Sequence, residues 1–79
     1  MEYVVVLDSV RNIVANNFHI DKNEISLDTE YVRDLKADSV DLLSLILAFE
    51  DAFNIKIDFT KRMLSISDSV NIVMDKMSY

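Results

Sequence analysis

Hydrophobic residues recur every three or four positions in the first part of the chain, which places their side chains on one face of a helix. The series is Val6, Val10, Ile13, Val14 and Phe18. This pattern predicts a first helix over about residues 2–17. A strand over residues 3–7 is the alternative, because a β-branched run favours extended structure. The helical series is favoured because it continues well beyond the length of a typical strand.

A second apolar series occupies the middle of the chain, from Ser39 to Phe53. Each helical residue advances by about 100°, and five residues fall in one arc that we predict to face the core. These residues are Leu42, Leu45, Ile46, Phe49 and Phe53. Val40, Leu43 and Leu47 widen the arc, with Val40 and Leu47 on the shoulder nearest the acids. An exposed apolar residue with acidic neighbours is typical of a partner contact.

A third series predicts a final core-facing helix that Ser65 or Ser67 can cap. Its apolar positions are Ile66, Val70, Val73, Met74 and Met77. The methionines are interpreted as residues that fill gaps in the core rather than as ligands. Residues 59–64, between the second and final helices, are expected to form a short helix or turn.

Residues 19–38 are predicted to form a long loop between the first and second helices, a length that is often functional. Six apolar residues are available to hold this loop on the core: Ile20, Ile25, Leu27, Tyr31, Val32 and Leu35. His19 is expected to end the first helix in a left-handed conformation, which histidine tolerates better than most residues. It is therefore interpreted as a turn residue rather than as a catalyst or ligand.

The composition, with 51% hydrophobic and 28% charged residues, indicates one small globular domain over residues 1–79. The chain has no cysteine, which excludes disulfides and thiolate chemistry of its own. Its net charge of −6 argues against nucleic-acid binding and favours partners with a basic face. The first apolar run ends at Asp8, too early for a membrane span or a signal peptide, so we expect a cytoplasmic protein.

The candidate chemistry lies in the run Asp34-Leu35-Lys36-Ala37-Asp38-Ser39-Val40-Asp41. Asp38 suits a helix N-cap, and Asp41 is placed to reach back to it in a capping box. Ser39 then occupies the first helical position, at the positive end of the helix macrodipole, where a phosphate is stabilised. A phosphate ester on Ser39 is therefore physically plausible.

These residues resemble the attachment motif of acyl carrier proteins, whose serine follows an Asp-Leu-Gly-Ala-Asp run, precedes leucine and carries 4′-phosphopantetheine. The apolar helix after Ser39, the segment 53–58 and the segment 66–70 also follow the order and spacing of that family. The resemblance covers nearly the whole chain. It implies an all-α fold, a small four-helix bundle of the acyl-carrier type with a long loop between the first and second helices.

The resemblance further implies that a phosphopantetheinyl transferase moves 4′-phosphopantetheine from coenzyme A to Ser39, and that the arm holds acyl intermediates as thioesters for fatty acid synthesis. The other implied partners are acyltransferases, ketosynthases and related biosynthetic enzymes with basic faces. The residues assigned to these contacts are Asp38, Val40, Asp41, Leu47, Glu50 and Asp51. Catalysis is not expected, because the single histidine has no recognisable relation to Ser39. A metal site is not expected, because no calcium-loop spacing is present.

Several residues depart from the family pattern. Lys36 replaces the usual glycine, Val40 the usual leucine, and Ser44 a frequent glutamate, while Lys56, Lys61 and Arg62 add positive charge after the second helix. A carrier for polyketide or aminoacyl cargo is therefore an alternative, although Ala37-Asp38-Ser39 favours an acyl cargo. A third possibility is a non-modified acidic helical adaptor. In each case a monomer is the simplest expectation for a small acidic bundle.

Overall fold

The computed structural model describes residues 2–58 and 63–77, and the regular elements in these ranges are helices. Helix α1 spans Tyr3–Phe18, helix α2 spans Ser39–Phe53 and helix α3 spans Ile66–Met77. The predicted all-α class is confirmed for this part of the chain. The short helix or turn expected over residues 59–64 lies outside the described residues except for Met63 and Leu64, so the fourth helix of a bundle stays a prediction.

Helix α1 includes the β-branched run for which a strand over residues 3–7 was the alternative prediction. Its buried face consists of Val6, Val10 and Val14, which are spaced by four residues as a helix requires. The helix ends at His19, whose φ of 58° and ψ of 45° are left-handed. The helical prediction is therefore confirmed to within one residue at each end, and so is the role of His19 as a turn residue.

The core lies where α1 packs against both α2 and α3. Its fully or almost fully buried members come from all three helices and from the segments between them: Val6, Val10, Val14, Ile25, Tyr31, Ala37, Leu45, Phe49, Ile57, Ile66, Val70 and Val73. Leu42, Ile46 and Phe53 pack against this cluster while half-buried, as do Met74 and Met77. Each fully buried large side chain contributes about 1.5–3 kcal/mol, so these contacts hold the three helices together.

The segment between α1 and α2 is more structured than the predicted long loop. A 3₁₀ helix spans Lys22–Glu24, and the Asp21 carboxylate caps it by accepting a backbone N–H. Arg11 of α1 holds this turn in place, because its Nε donates to the carbonyl of Ile25 and its Nη2 donates to that of Lys22, both at 2.9 Å. The guanidinium thus satisfies carbonyls that a free loop would leave to water.

Most of the residues predicted to hold this segment on the core do so. Ile25 and Tyr31 are buried, and Ile20, Leu27 and Leu35 are half-buried against the core. The prediction is wrong for Val32, whose side chain is 59% exposed. Its neighbour Tyr31 takes the interior position at the start of a turn, and Val32 is left on the solvent side.

The same segment crosses the start of α3. The N–H of Ile66 donates to the carbonyl of Thr29, and the N–H of Ser67 donates to that of Leu27, at 3.0 and 3.1 Å. Ser65 rather than Ser67 caps the helix, because the Ser65 hydroxyl accepts the N–H of Asp68. The segment that leads to Ser39 is therefore hydrogen-bonded to the first turn of α3.

Candidate functional site

Helix α2 begins with the predicted capping box. The carboxylate of Asp38 accepts the N–H of Asp41 at 2.8 Å, and the carboxylate of Asp41 accepts the N–H of Asp38 at 3.0 Å. Ser39 occupies the first helical position. The local sequence therefore fixes both where the helix starts and where the serine stands in it.

Ser39 is exposed and chemically unengaged. Among residues 2–58 and 63–77, none forms a hydrogen bond with its hydroxyl, and none accepts the backbone N–H groups of Ser39 and Val40. Unpaired N–H groups at a helix start attract anions, and the macrodipole acts in the same direction. The start of α2 can therefore present a hydroxyl and stabilise a phosphate bonded to it.

The approach to Ser39 contains a backbone conformation that usually belongs to glycine. Lys36 has a φ of 57°, and its Nζ donates to the carbonyl of Arg33 at 3.0 Å. A left-handed residue with a Cβ costs about 1–2 kcal/mol. Ala37 comes next and is buried, with its N–H donated to the carbonyl of Tyr31. The lysine thus adopts a left-handed conformation at the position where the resemblance implies glycine.

Exposed ion pairs lie just before this turn. Arg33 contacts Glu30 at 3.0 Å and Asp34 at 3.2 Å, and the Asp34 carboxylate also accepts the N–H of Glu30. The hydrogen bond from Arg33 is the main reason that the pKa of Asp34 lies below its usual range. Solvent screens such exposed pairs, so they contribute little to the free energy of unfolding. Their role is to hold residues 30–34 together in the turn.

Beneath the turn, Tyr31 is buried and its hydroxyl lies 2.6 Å from Oγ of Ser69. Burial raises the pKa of the Tyr31 phenol, so it stays neutral and hydrogen-bonded. Sequence reasoning placed Tyr31 in the core but missed this partner, which lies 38 positions further along the chain.

The apolar residues assigned to partner contacts lie on the surface of α2. Val40 is 73% exposed and Leu47 is 52% exposed. Leu43, at 46% exposure, lies between them and was not assigned to this surface. The signal for Leu43 was present in the spacing, since positions 40, 43 and 47 share one face of a helix. These three residues form an exposed apolar stripe along α2.

The acids assigned to the same surface differ in their engagement. Asp38 and Asp41 form the cap, while Oε2 of Glu50 accepts the N–H of Ile57 at 2.8 Å and thereby holds the chain after α2. Asp51 is exposed, and no other described residue forms a hydrogen bond or an ion pair with its carboxylate. Glu50 therefore has a structural role that the sequence did not predict, and Asp51 is the acid most available to a partner.

An open groove of about 310 Å³ lies at the end of α2. Its lining combines apolar, acidic and basic side chains: Leu47, Glu50, Asp51, Asn54, Ile55 and Lys56. Asn54 ends the helix in a left-handed conformation with a φ of 54°. Lys56 and Asp51 line the same groove. Of the three cationic residues noted after α2, Lys56 is the one that lies in the described part of the chain.

Two classes of site are not found in the described ranges. Within residues 2–58 and 63–77, no three His, Asp or Glu side chains come together as a metal site. No helix in these ranges has the length and apolar character needed to cross a membrane.

Comparison with known proteins identifies the family. A family model described as a phosphopantetheine attachment site matches residues 8–71. The chain is 32% identical over 73 residues to the acyl carrier protein of Picosynechococcus sp., with 90% of each protein covered. It is 33% identical to that of Lactobacillus acidophilus, over 86% of this chain and 88% of the relative. Identity to the acyl carrier protein of Campylobacter curvus is 32%, over 89% and 94%.

The match to the family model covers α2 and parts of α1 and α3, and it includes the start of α2, where the exposed serine and the unpaired N–H groups lie. The prosthetic group of the matching family is 4′-phosphopantetheine. Its members carry a bound group between enzymes and do not catalyse reactions themselves. The chain belongs to the acyl carrier proteins.

Proposed function

We propose that Ser39 is the residue that bears 4′-phosphopantetheine and that the chain carries acyl groups in fatty acid synthesis. The observation that carries the proposal is the position of Ser39 at the first turn of α2, exposed and beside two N–H groups that no described residue accepts. Every other serine in the described ranges is at least partly buried or has a hydrogen-bonded hydroxyl. Ser65 caps α3, Ser69 is buried, and the Ser44 hydroxyl donates to Oδ1 of Asn17 at 3.3 Å.

Loading joins Oγ of Ser39 to the phosphorus of the 4′-phosphate, breaks the phosphoanhydride bond of coenzyme A and releases the adenosine bisphosphate. The hydroxyl loses its proton to the transferase, because no described residue of this chain forms a hydrogen bond with it. The start of α2 then stabilises the phosphodiester charge through the N–H groups of Ser39 and Val40. When bound, the arm supplies a terminal thiol that holds an acyl group as a thioester.

The capping box keeps the start of α2 fixed while leaving Ser39 outside it. Asp38 and Asp41 accept each other's backbone N–H groups, and neither carboxylate forms a hydrogen bond with the serine hydroxyl. Their charges remain on the surface and favour an enzyme with a basic face. We assign the apolar stripe and Asp51 to the same partner surface, which would meet the transferase, acyltransferases and ketosynthases.

Polyketide or aminoacyl cargo is the second candidate. Lys36 supports it, because a cation stands beside the attachment turn where the resemblance implies glycine. The relatives named as acyl carrier proteins support an acyl cargo instead. Mass spectrometry of the loaded chain isolated from cells decides between them. A fatty acyl thioester supports the proposal, and a polyketide or aminoacyl thioester overturns the assignment to fatty acid synthesis. We expect that chain in the cytoplasmic fraction and as a monomer by size-exclusion chromatography.

The attachment site is tested by intact mass after incubation with coenzyme A, Mg²⁺ and a broad-specificity phosphopantetheinyl transferase. We expect one phosphopantetheine on the wild-type chain and none on Ser39→Ala. Ser44→Ala is the matched control, since it removes an exposed hydroxyl from the same helix, and it should load as the wild type does. Loading of Ser39→Ala would place the attachment on another residue and contradict the assignment. A folded apo chain that does not load would contradict it too, and would favour the non-modified adaptor.

A further inference from the structure

Tyr31 ties the segment before α2 to the interior through its side chain. The ring is fully buried and stacks on Phe18, with 6.4 Å between ring centroids and 20° between planes. Its hydroxyl lies 2.6 Å from Oγ of Ser69 on α3, which is also fully buried. Two buried hydroxyls in contact restrict the position of both side chains, because separating them leaves polar atoms without water.

The backbone of Tyr31 extends the connection to the start of α2. Its N–H donates to the carbonyl of Leu64 at 3.0 Å, and its carbonyl accepts the N–H of Ala37 at 3.0 Å. Ala37 directly precedes the N-cap, Asp38. One residue therefore connects α3 to the point from which Ser39 is presented.

The two hydroxyls are unequally supported. Oγ of Ser69 also has the carbonyl of Ser65 as an acceptor, at 3.4 Å. Among the residues that the structure describes, the Tyr31 hydroxyl contacts Ser69 alone. Removing the Ser69 hydroxyl therefore leaves a buried phenol without a partner, whereas removing the Tyr31 hydroxyl leaves Ser69 paired.

We propose that Tyr31, held by Ser69, is a positioning residue for the loading of Ser39; this inference rests on the proposed function. When the phenol loses its partner, its ring moves toward water and the bond between Tyr31 and Ala37 opens more often. Only the closed conformation presents Ser39 correctly. The apparent KM of the transferase for this chain therefore rises by the same factor by which the closed fraction decreases, while kcat is unchanged.

The test compares Ser69→Ala, Tyr31→Phe and the double variant by two measurements. These are amide hydrogen exchange at Ala37 and the kinetics of loading with coenzyme A. For Ser69→Ala we expect exchange at Ala37 about tenfold faster, since the unpaired phenol favours the open state, and a KM about threefold higher. The double variant removes both hydroxyls, so its KM should return to within about twofold of the wild type.

Val10→Ala is the matched control, because it removes methyl groups from the buried core and leaves the Tyr31 and Ser69 hydroxyls in place. It should lower the unfolding midpoint without changing KM and without a specific increase in hydrogen exchange at Ala37. A folded Ser69→Ala with wild-type exchange and KM overturns the inference, and so does an equal rise in KM for Val10→Ala. A double variant no better than Ser69→Ala also overturns it.

Tyr31→Phe keeps the test available if Ser69→Ala does not fold. We expect about threefold faster exchange at Ala37 and a smaller rise in KM, and wild-type values of both would overturn the inference. The wild type and Ser39→Ala are measured in parallel. Failure of wild-type loading, or loading of Ser39→Ala, overturns the proposed function together with this inference. If the wild type loads and Ser39→Ala does not, wild-type exchange and KM in the Tyr31 and Ser69 variants overturn only the inference.

Discussion

Helices α2 and α3 begin with the same local motif. In α2 the pair Asp38 and Asp41 exchange side-chain to backbone hydrogen bonds, and in α3 the pair Ser65 and Asp68 do the same. Each pair is separated by three residues, as a capping box requires. The sequence around each start therefore specifies a helix boundary with similar strength.

The two starts differ in what covers them. In α3 the next two N–H groups, those of Ile66 and Ser67, donate to carbonyls of the segment between α1 and α2. In α2 the equivalent groups, on Ser39 and Val40, have no acceptor among the described residues. A capping box thus makes a helix start, but only the absence of a covering segment leaves that start available to a ligand.

The largest expected difference concerns the apolar side chains of the two first turns. Ile66 is fully buried and Val40 is largely exposed. Ile66→Ala should lower the free energy of unfolding by about 2–5 kcal/mol, because it leaves a cavity where α3 meets the core. Val40→Ala should change it by no more than about 0.5 kcal/mol. Urea denaturation followed by circular dichroism measures both, and similar losses would show that the two starts are equally packed.

An intermediate difference is expected for the capping acids. Asp68→Ala removes the acceptor of two N–H groups, those of Leu64 and Ser65, beside a packed segment, and should cost about 1–2 kcal/mol. Asp41→Ala should cost about 0.5–1 kcal/mol, since water can reach the exposed N–H that it frees. The same denaturation experiment compares them. A greater loss for Asp41→Ala would contradict the view that α3 has the covered start.

The smallest effect is expected from charge on the outer faces. Asp51→Asn on α2 should lower kcat/KM for loading by about twofold at low salt and have no effect near 1 M salt, where the Debye length is about 3 Å. Asp75→Asn is the control, because Asp75 is an exposed acid on α3. The measurement is a loading time course at several salt concentrations. Equal effects of the two substitutions would indicate nonspecific attraction to net charge rather than a partner surface on α2.

The features that could be predicted from the sequence depend on residues close together in the chain. The helical periods, the box formed by Asp38 and Asp41, and the left-handed turn at His19 all follow from local spacing and conformational preference. The position of Ser39 at the first turn belongs to this group. Resemblance to a known family then connected that position to a prosthetic group.

The features that could not be predicted depend on contacts between distant residues. Arg11 on α1 donates a hydrogen bond to the carbonyl of Lys22, and Glu50 accepts the backbone N–H of Ile57, seven residues further along the chain. The exposure of Val32 could not be predicted either, because it is Tyr31 whose side chain reaches Ser69 on α3. No pattern of apolar residues reports which hydrogen-bond donor will be near a given carbonyl after folding.

The left-handed residues have a further consequence, for the unfolded chain. His19, Lys36 and Asn54 all have positive φ, and the sequence contains no glycine at any position. A residue other than glycine has fewer backbone conformations in the unfolded chain. This raises the free energy of unfolding by about 0.4–1 kcal/mol per position where the native conformation is compatible with a side chain. At these three turns the native strain offsets that gain. Elsewhere the gain is retained, and a domain of 79 residues with a small core loses less conformational entropy when it folds.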